Sequence, residues 1–408
     1  MKKTRKISIT TGIAALLLLL SAAGVSAQNL YIGGYVRNNT GVFVKDADLS
    51  QFINTLDLKF GYNGNMSAMN AEVYMNVTDD IEEFSVGVRE LYMDIYFNSV
   101  DFRIGKQKVV WGKGDGVFIT DVVSPLDLSQ FLTQEFEEIR LGVTAAKMDW
   151  YVGPFTFEGI WIPVYSPSLT PDGDSPWNTQ PMTPSISKPG LNLENSEGFA
   201  KISYMGSIID VELMGGYMWD DVPTVNEFVP PSSPDGPSLK ASYNRVGLVG
   251  GSFSTDIAGL IFRGEGAFYI DKAFTSGAAP AIAGTVNKNF LNYMFGLDYP
   301  IGGFMFSTQF VQKIIFDYDD NLKMYDEFSN MMTFLVSKTF LGETLKLEFF
   351  SYFGINNMDA MLRFRTYYDI TDGLQWIVGS DVFVGDESGG FGQFHDNSMV
   401  YTKLTYSF

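Results

Sequence analysis

A series of long segments in which apolar and polar residues alternate constrains the fold more than any other feature of this chain. Residues 56–60 read LDLKF and residues 345–349 read LKLEF, and similar segments recur throughout. A period of two predicts β-strands. Most of these segments are 10 to 12 residues long, whereas strands of soluble proteins average about 5 to 6 residues and a tilted strand needs about 9 to 11 to cross a bilayer. The chain is therefore predicted to be all-β, with strands of membrane-spanning length.

Eighteen such strands are predicted. They lie at 30–44, 52–62, 67–77, 88–97, 99–106, 138–151, 155–163, 197–206, 208–219, 243–255, 257–271, 290–299, 303–316, 328–340, 343–354, 361–370, 373–384 and 398–408. A count of sixteen remains open, because the pattern is weakest at 30–44 and 99–106.

The connections between these strands alternate between short and long. Tight turns are predicted near 98–99, 153–154, 206–207, 256–257, 300–302, 341–342 and 371–373, and longer connections at 107–137, 164–196, 220–242, 272–289, 317–327 and 385–397. Short turns at one rim and long loops at the other are typical of outer-membrane barrels. We therefore predict a single transmembrane antiparallel β-barrel, with short periplasmic turns, long extracellular loops and both termini at the short-turn rim.

The beginning of the chain is predicted to be a secretory signal peptide, residues 1–27, which leaves 28–408 as the barrel. A basic stretch at 2–6 is followed by an apolar core at 13–20 and by the small residues Val-Ser-Ala at 25–27, which is the order of a cleavable signal. The apolar core is too short to span about 30 Å of hydrocarbon. The chain after it is expected to be one domain, because strand alternation resumes after each proline-rich stretch.

Composition excludes several classes of partner and cofactor. The chain has 28 Lys and Arg against 47 Asp and Glu, a net charge of −19. Such an acidic protein is a poor match for nucleic acid, because phosphate binding requires concentrated Lys and Arg. The absence of cysteine excludes disulfides, thiolate metal sites and a lipid-anchored N-terminal cysteine. No cofactor is predicted.

If the apolar face of each strand meets lipid, the charged face lines a wet pore. The residues predicted to line it are Lys59, Glu72, Asp94, Arg103, Arg140, Glu212, Arg245, Arg263, Glu265, Lys346, Glu348, Arg363, Arg365 and Asp381; Asp57, Glu90, Asp101, Glu158, Lys201 and Asp210 share that face. Together they number nine basic and eleven acidic side chains, so the wall is nearly balanced. A barrel of this size encloses water, and we expect these charges to stay hydrated. Basic clusters such as Arg363 with Arg365 are the expected anion contacts.

The connection 107–137 is predicted to narrow this pore. It contains a glycine-rich turn at 111–116 and a strongly apolar run at 117–126, and an exposed loop of that composition would form a sticky surface patch. Folding inward would bury the apolar residues and leave charged residues facing the lumen. The constriction residues predicted on this basis are Trp111, Lys113, Asp115, Asp121 and Asp127. Packing on a neighbouring external loop is the alternative.

The same stretch resembles a known family. The pattern GKQ-x3-WG-x2-DG at 105–116, the phrase DVVSPLDL at 121–128, and Gly153, Glu158, Trp161 and Pro163 resemble a family of Gram-negative outer-membrane β-barrels similar to alginate-export porins. The resemblance implies a barrel in the cell outer membrane. It also implies export of an acidic polysaccharide, although the alginate exporters have a strongly basic wall and this one is balanced.

The function that these patterns favour is passive diffusion of hydrophilic or anionic solutes through an outer-membrane channel. The expected partners are outer-membrane lipid, lipopolysaccharide, small hydrophilic solutes, and the barrel-assembly machinery through the terminal aromatic Phe408. A surface adhesin or structural barrel with a plugged lumen is the alternative.

An enzyme is not predicted, because a hydrolase would have to be built around the single histidine, His395. Residues 317–328 have the spacing of a calcium loop only in part, and no metal site is predicted. The oligomeric state and the identity of the solute stay open.

Overall fold

The chain folds as a closed barrel of eighteen antiparallel strands. The computed structural model describes residues 29–408 except 79–83, 172, 174, 180–181, 231–236, 278–280, 283 and 323. The predicted signal peptide at 1–27 lies outside the described residues.

Twenty-one strands are numbered here in chain order. They are β1 (Leu30–Phe43), β2 (Leu49–Asn63), β3 (Ser67–Val77), β4 (Phe84–Tyr96), β5 (Val100–Gln107), β6 (Val143–Val152), β7 (Phe155–Ile162), β8 (Ser185–Ser187), β9 (Glu197–Met205), β10 (Ile209–Trp219), β11 (Thr224–Val229), β12 (Ser238–Ser242), β13 (Arg245–Ile257), β14 (Leu260–Thr275), β15 (Thr285–Ile301), β16 (Phe304–Ile315), β17 (Phe328–Phe340), β18 (Leu345–Gly354), β19 (Asp359–Thr371), β20 (Leu374–Val384) and β21 (Met399–Ser407).

Eighteen of these strands form the wall, and each pairs with the next wall strand along the chain. The wall closes where β1 pairs with β21, from Tyr35↔Ser407 to Phe43↔Met399. The short strands β8, β11 and β12 form a separate sheet within the long connections. In the described part of the chain, helical structure is limited to the single turn Phe136–Ile139 and two 3-10 segments. No helix there has the length and apolar content of a membrane span.

The wall is apolar outside and charged inside. On β18 and β19, Leu347 and Phe364 are 44% and 48% exposed on the outer surface, whereas Glu348 and Arg365 are paired neighbours on the inner one. Exposed apolar residues recur on every side of the barrel. Only a non-aqueous surrounding stabilises so large an apolar exterior, and closure of the wall gives every wall strand a hydrogen-bonded neighbour on both sides.

The eighteen predicted strands all occur, and the count of sixteen is wrong because β1 and β5 are regular strands. Several boundaries differ from the prediction; for example, β14 ends at Thr275 instead of 271 and β15 begins at Thr285 instead of 290. The strand predicted at 138–151 begins at Val143, so 138–142 belong to the connection before it. The turn predicted at 256–257 lies at Ala258-Gly259, where both residues have positive φ, as a two-residue hairpin of the right twist requires.

Candidate pore and the segment inside it

The connection between β5 and β6, residues 108–142, is named here the inserted segment because it crosses the interior of the barrel. Its first half is held by β14, β16 and β18; from β18, the hydroxyl of Tyr352 donates to the carbonyl of Gly116 at 2.6 Å. Glu265 accepts hydrogen bonds from the backbone N–H of Lys113 (3.3 Å) and of Thr120 (3.2 Å). The amide of Gln309 bonds both the N–H and the carbonyl of Asp115, at 3.0 and 2.8 Å.

The second half of the inserted segment contacts the next part of the wall, from β19 through β21 to β1. Glu135 forms salt bridges with Arg365 of β19 (2.8 Å) and with Lys403 of β21. Glu138 binds Arg37 of β1 at 2.8 Å and accepts a hydrogen bond from the hydroxyl of Tyr35, also at 2.8 Å. Because these contacts lie on both sides of the bore, the predicted inward folding is confirmed and external packing is wrong.

Apolar packing secures the same segment. Val117, Ile119 and Val123 are 5%, 2% and 3% exposed and belong to one cluster with Val246 and Leu248 of β13. The interior of the wall is therefore apolar where the segment lies against it. In β13 the apolar residues Val246 and Leu248 lie on the inner face, where a water-filled bore would require polar residues. The alternation of this part of β13 is therefore reversed.

That reversal explains why Arg245 does not line the pore as predicted. Val246 and Leu248 face inward, so Arg245 lies on the outer face, where its guanidinium stacks on Tyr217 and Trp219. Tyr217 is 60% exposed. An arginine over aromatic rings at a strand end suits the interfacial level of a membrane.

The other wall residues predicted to line the pore are on the inner face. They are Lys59, Glu72, Asp94, Arg103, Glu212, Arg263, Glu265, Lys346, Glu348, Arg363, Arg365 and Asp381. Arg140 is a second exception: it lies in the inserted segment, where it binds the carboxylate of Asp121.

Many of these charged side chains are paired with each other and buried. The sequence analysis had predicted that they would stay hydrated. Arg363 binds Asp381 at 2.7 Å, and their side chains are 2% and 0% exposed. Arg263 binds Asp298 at 2.9 Å and also binds Asp115 of the inserted segment. The physical reason is that the segment displaces the water that would otherwise have solvated this part of the wall.

The five predicted constriction residues all lie in the inserted segment, but they differ in surroundings. Lys113 and Asp115 keep 23% and 48% of their side chains exposed. Asp121 is only 1% exposed and paired with Arg140, so its expected lumen-facing role is wrong. Trp111 is buried and donates its indole N–H to Glu158 at 2.5 Å. Asp127 accepts a hydrogen bond from the N–H of Ser129 at 3.0 Å.

A β-bulge brings an unpredicted arginine into the interior. The register of β3 and β4 shifts after Glu72↔Glu90, so that the next pair is Val73↔Val88 and Arg89 is the extra residue. Such an extra residue interrupts the alternation of faces. Arg89 bonds Asp57 at 3.0 Å, while Glu90 accepts a hydrogen bond from the N–H of Lys108. Two consecutive residues therefore face inward, which an alternation rule cannot anticipate.

A cavity of about 190 Å³ remains between the inserted segment and the wall at β1–β4. Six basic and three acidic side chains line it, namely Arg37, Arg89, Lys106, Lys108, Arg140 and Lys403 with Asp127, Glu135 and Glu138. Within an acidic protein, this lining has an excess of positive charge. Sequence analysis missed Arg37, Arg89, Glu135, Glu138 and Lys403. Glu135 lay in the predicted constriction loop 107–137, whereas Glu138 was placed at the start of the strand predicted at 138–151.

The carboxyl groups of the segment are held in their charged form. Burial alone would raise the pKa of Glu135, but Lys403 and Arg365 outweigh it and lower that pKa. Burial likewise opposes ionisation of Glu138, and Arg37 reverses the effect, so the pKa of Glu138 is lowered. Both residues therefore bind the wall as carboxylates.

The remaining sequence candidates lie away from the bore. His395 is 69% exposed, with its Nδ1 3.4 Å from a carboxylate oxygen of Asp396. Asp319, in the incomplete calcium loop, binds Lys288 at 2.9 Å. Among the described residues, no three acidic, histidine or cysteine side chains are grouped as a metal site requires.

Comparison with known proteins gives a family and a fold. Residues 39–331 match the family described as "Protein of unknown function (DUF1302)". No curated protein matches the chain. Three solved structures cover 93% of this chain: Acinetobacter baumannii OccAB1 (TM-score 0.54, 10% identity, 95% of that chain), Pseudomonas aeruginosa OccK8 (OprE) (0.54, 8%, 98%) and Pseudomonas aeruginosa OccK2 (OpdF) in complex with glucuronate (0.53, 10%, 97%). At these identities the likeness is one of fold.

Proposed function

Because the chain belongs to the DUF1302 family and has the fold of outer-membrane porins, we propose that it resides in the outer membrane and conducts hydrophilic or anionic solutes. The observation that carries this proposal is the cavity beside the inserted segment. It lies inside a wall with an apolar exterior, and six cationic side chains line it against three acidic ones. A polar route with excess positive charge favours anions.

The inserted segment sets the size of the route. It is bound on one side to Glu265 and Gln309 and on the other to Arg365 and Arg37, so solutes have to pass around it. We therefore expect small solutes and low conductance while it stays docked.

A carboxylated sugar is the narrower form of the proposal. The OccK2 structure contains glucuronate, and the resemblance of 105–128 to alginate-export porins suggests an acidic polysaccharide. The basic side chains Arg37 and Arg89 offer the planar donors that bind carboxylates in bidentate fashion. Fragments with one or two carboxylates suit a cavity of about 190 Å³ better than a polymer does.

The contacts of the segment on both sides of the bore also favour a second candidate, a plugged barrel that displays its loops to a partner. Single-channel recording of refolded protein in planar bilayers separates the two. Steady currents support the channel, provided that the reversal potential in a salt gradient indicates selectivity for anions. Silence, with a barrel that migrates as folded on unboiled gels, supports the plugged barrel.

Two partners belong to the same proposal. The apolar exterior suits lipid and lipopolysaccharide. The terminal Phe408 is 51% exposed and shares two 3.0 Å backbone hydrogen bonds with Gly34, so its side chain is available to the barrel-assembly machinery. A Phe408→Ala variant tests the second point: assembly in cells should fall, whereas refolding in detergent should not.

A further inference from the structure

The wall of the barrel is short beside β5. This strand has eight residues, and its ladder with β4 covers only Leu91–Tyr96. On its other edge β4 continues to Phe84, paired with Val77 of β3. The part of β4 from Phe84 to Glu90 therefore extends beyond the end of β5. Among the residues that the structure describes, no strand pairs with it on that side, so the wall has a notch there.

A lysine faces outward at this notch. In β5, Gln107 is fully buried inside, whereas Ile104 is 49% exposed outside, so Lys106 shares the outer face. It lies six residues above Val100, which pairs with the exposed Trp150. At about 3.3 Å per residue and a strand tilt of about 40°, that is roughly 15 Å above the periplasmic aromatic level. A lipid-facing lysine at such depth is costly unless polar groups or water reach it.

The surroundings of Lys106 supply that polar contact. Its ammonium group donates to the carbonyl of Val88 at 2.5 Å, on the part of β4 that β5 leaves uncovered. Val88 itself is 37% exposed on the outer face. The main chain at Gly142 lies between β4 and the end of β5, because a Cβ on Gly142 would lie 2.5 Å from the carbonyl oxygen of Arg89 and 3.3 Å from Cγ of Lys106.

The cavity beside the inserted segment reaches this notch. Its lining includes Val88 and Lys106 from the outer face together with Arg37 and Tyr74 from the inner face. The cavity therefore lies against the wall at the notch. Its lining is cationic, and apolar side chains such as Val88 are exposed on the outer face of the wall there.

We infer that this notch is a lateral portal that binds an amphipathic anion, a single-chain carboxylate or phosphate amphiphile. The head group binds Arg37 and Arg89 inside, Lys106 guides it at the mouth, and the chain lies on the apolar outer face next to Val88. This inference deepens the proposed function and rests on it for transport, since the solute would pass between bore and bilayer.

Photo-labelling in nanodiscs tests the portal. The probe is a 12-carbon carboxylate with a diazirine at its chain end, and a 12-carbon alcohol with the same diazirine is the neutral comparison. Adducts are mapped by mass spectrometry. Val88→Trp fills the mouth, and Val86→Trp is the matched control, because Val86 is 56% exposed on the same face but does not line the cavity.

Labelling by the carboxylate is expected to concentrate near 84–88, 104–106 and 141, to fall about tenfold in Val88→Trp and to stay unchanged in Val86→Trp. Lys106→Met should reduce labelling by the carboxylate severalfold and leave labelling by the alcohol unchanged. The inference is overturned if adducts spread evenly over the exterior, if both tryptophan variants behave alike, or if the alcohol labels the notch as strongly as the carboxylate. Unboiled gel mobility identifies variants that are folded.

Conductance of the same preparations keeps the two proposals separate. Localised labelling without current would retain the portal and remove the channel. Current without localised labelling would retain the channel and remove the portal.

Discussion

Arg363 of β19 and Asp381 of β20 form a salt bridge of 2.7 Å with side chains only 2% and 0% exposed, inside a barrel wide enough to hold water. The guanidinium of Arg363 also donates to the carbonyl of Leu132 at 2.6 Å, so the inserted segment covers the pair. A buried ion pair is weak evidence of net stability, but removing one partner is costly. The segment therefore acts as part of the folded core as well as an obstacle in the bore.

Glu135→Gln is expected to loosen the inserted segment. Its carboxylate binds both Arg365 and Lys403, whose side chains are each 5% exposed. Leaving two buried cations without this partner should weaken docking by about 3 kcal/mol. Limited proteolysis with chymotrypsin measures the change, because Phe131 and Phe136 lie in the segment, and single-channel currents should become larger and noisier.

Glu227→Gln is the matched control. Glu227 also forms a salt bridge, with Lys240 at 3.0 Å, but both side chains are about half exposed. Exposed pairs contribute about 0–1 kcal/mol, so neither cleavage nor current should change. Equal effects of the two substitutions would contradict the role given to Glu135.

Docking of the segment should weaken only in acid. The pKa values of Glu135 and Glu138 are lowered in the docked state, so their contribution is fully present above the ordinary pKa of glutamate, about 4.3, and is lost as pH falls from there toward the lowered values. Current noise should stay constant from about pH 8 to 5 and rise below about pH 4. In the Glu135→Gln/Glu138→Gln double variant, this acid dependence should be much smaller.

Strand number and order could be predicted because lipid outside and water inside impose one alternation on every strand. The same rule failed where water is absent. Val246 and Leu248 face inward against the inserted segment, and the rule therefore assigned Arg245 to the wrong face. Arg89 was missed for another reason: a bulge inserts one residue, and no local sequence signal fixes which pair of strands carries it.

The path of the inserted segment was predictable only in part. Its apolar composition required burial, which predicted that it folds inward. Its wall contacts depend on residues far apart in the chain, such as Glu135 with Lys403, and a single sequence contains no signal for that pairing. The burial of Asp121 follows from its partner Arg140, which the sequence placed in a strand.

Ala258→Asn should stabilise the barrel. Ala258 has a φ of 56° in the two-residue turn with Gly259, and the left-handed conformation costs most residues about 1–2 kcal/mol, less for asparagine. We expect a gain of about 0.5–1 kcal/mol, measured as a higher temperature for conversion of the fast-migrating gel band. Ala258→Val is the comparison, and it should destabilise the barrel because a β-branched residue adopts positive φ at a higher cost.

Glu138→Gln should make the channel more selective for anions. Glu138 lies in the cavity lining among Arg37 and Arg89, and it neutralises part of their charge. Removing one negative charge at about 8 Å from the solute path, with an effective dielectric constant of about 60, favours an anion by roughly 0.7 kcal/mol, or about threefold. The reversal potential in a potassium chloride gradient measures the permeability ratio, and high salt should reduce the effect by screening. Glu343→Gln, at an exposed turn, is the control. A ratio unchanged in Glu138→Gln, with channels still open, would mean that ions take a route other than this cavity.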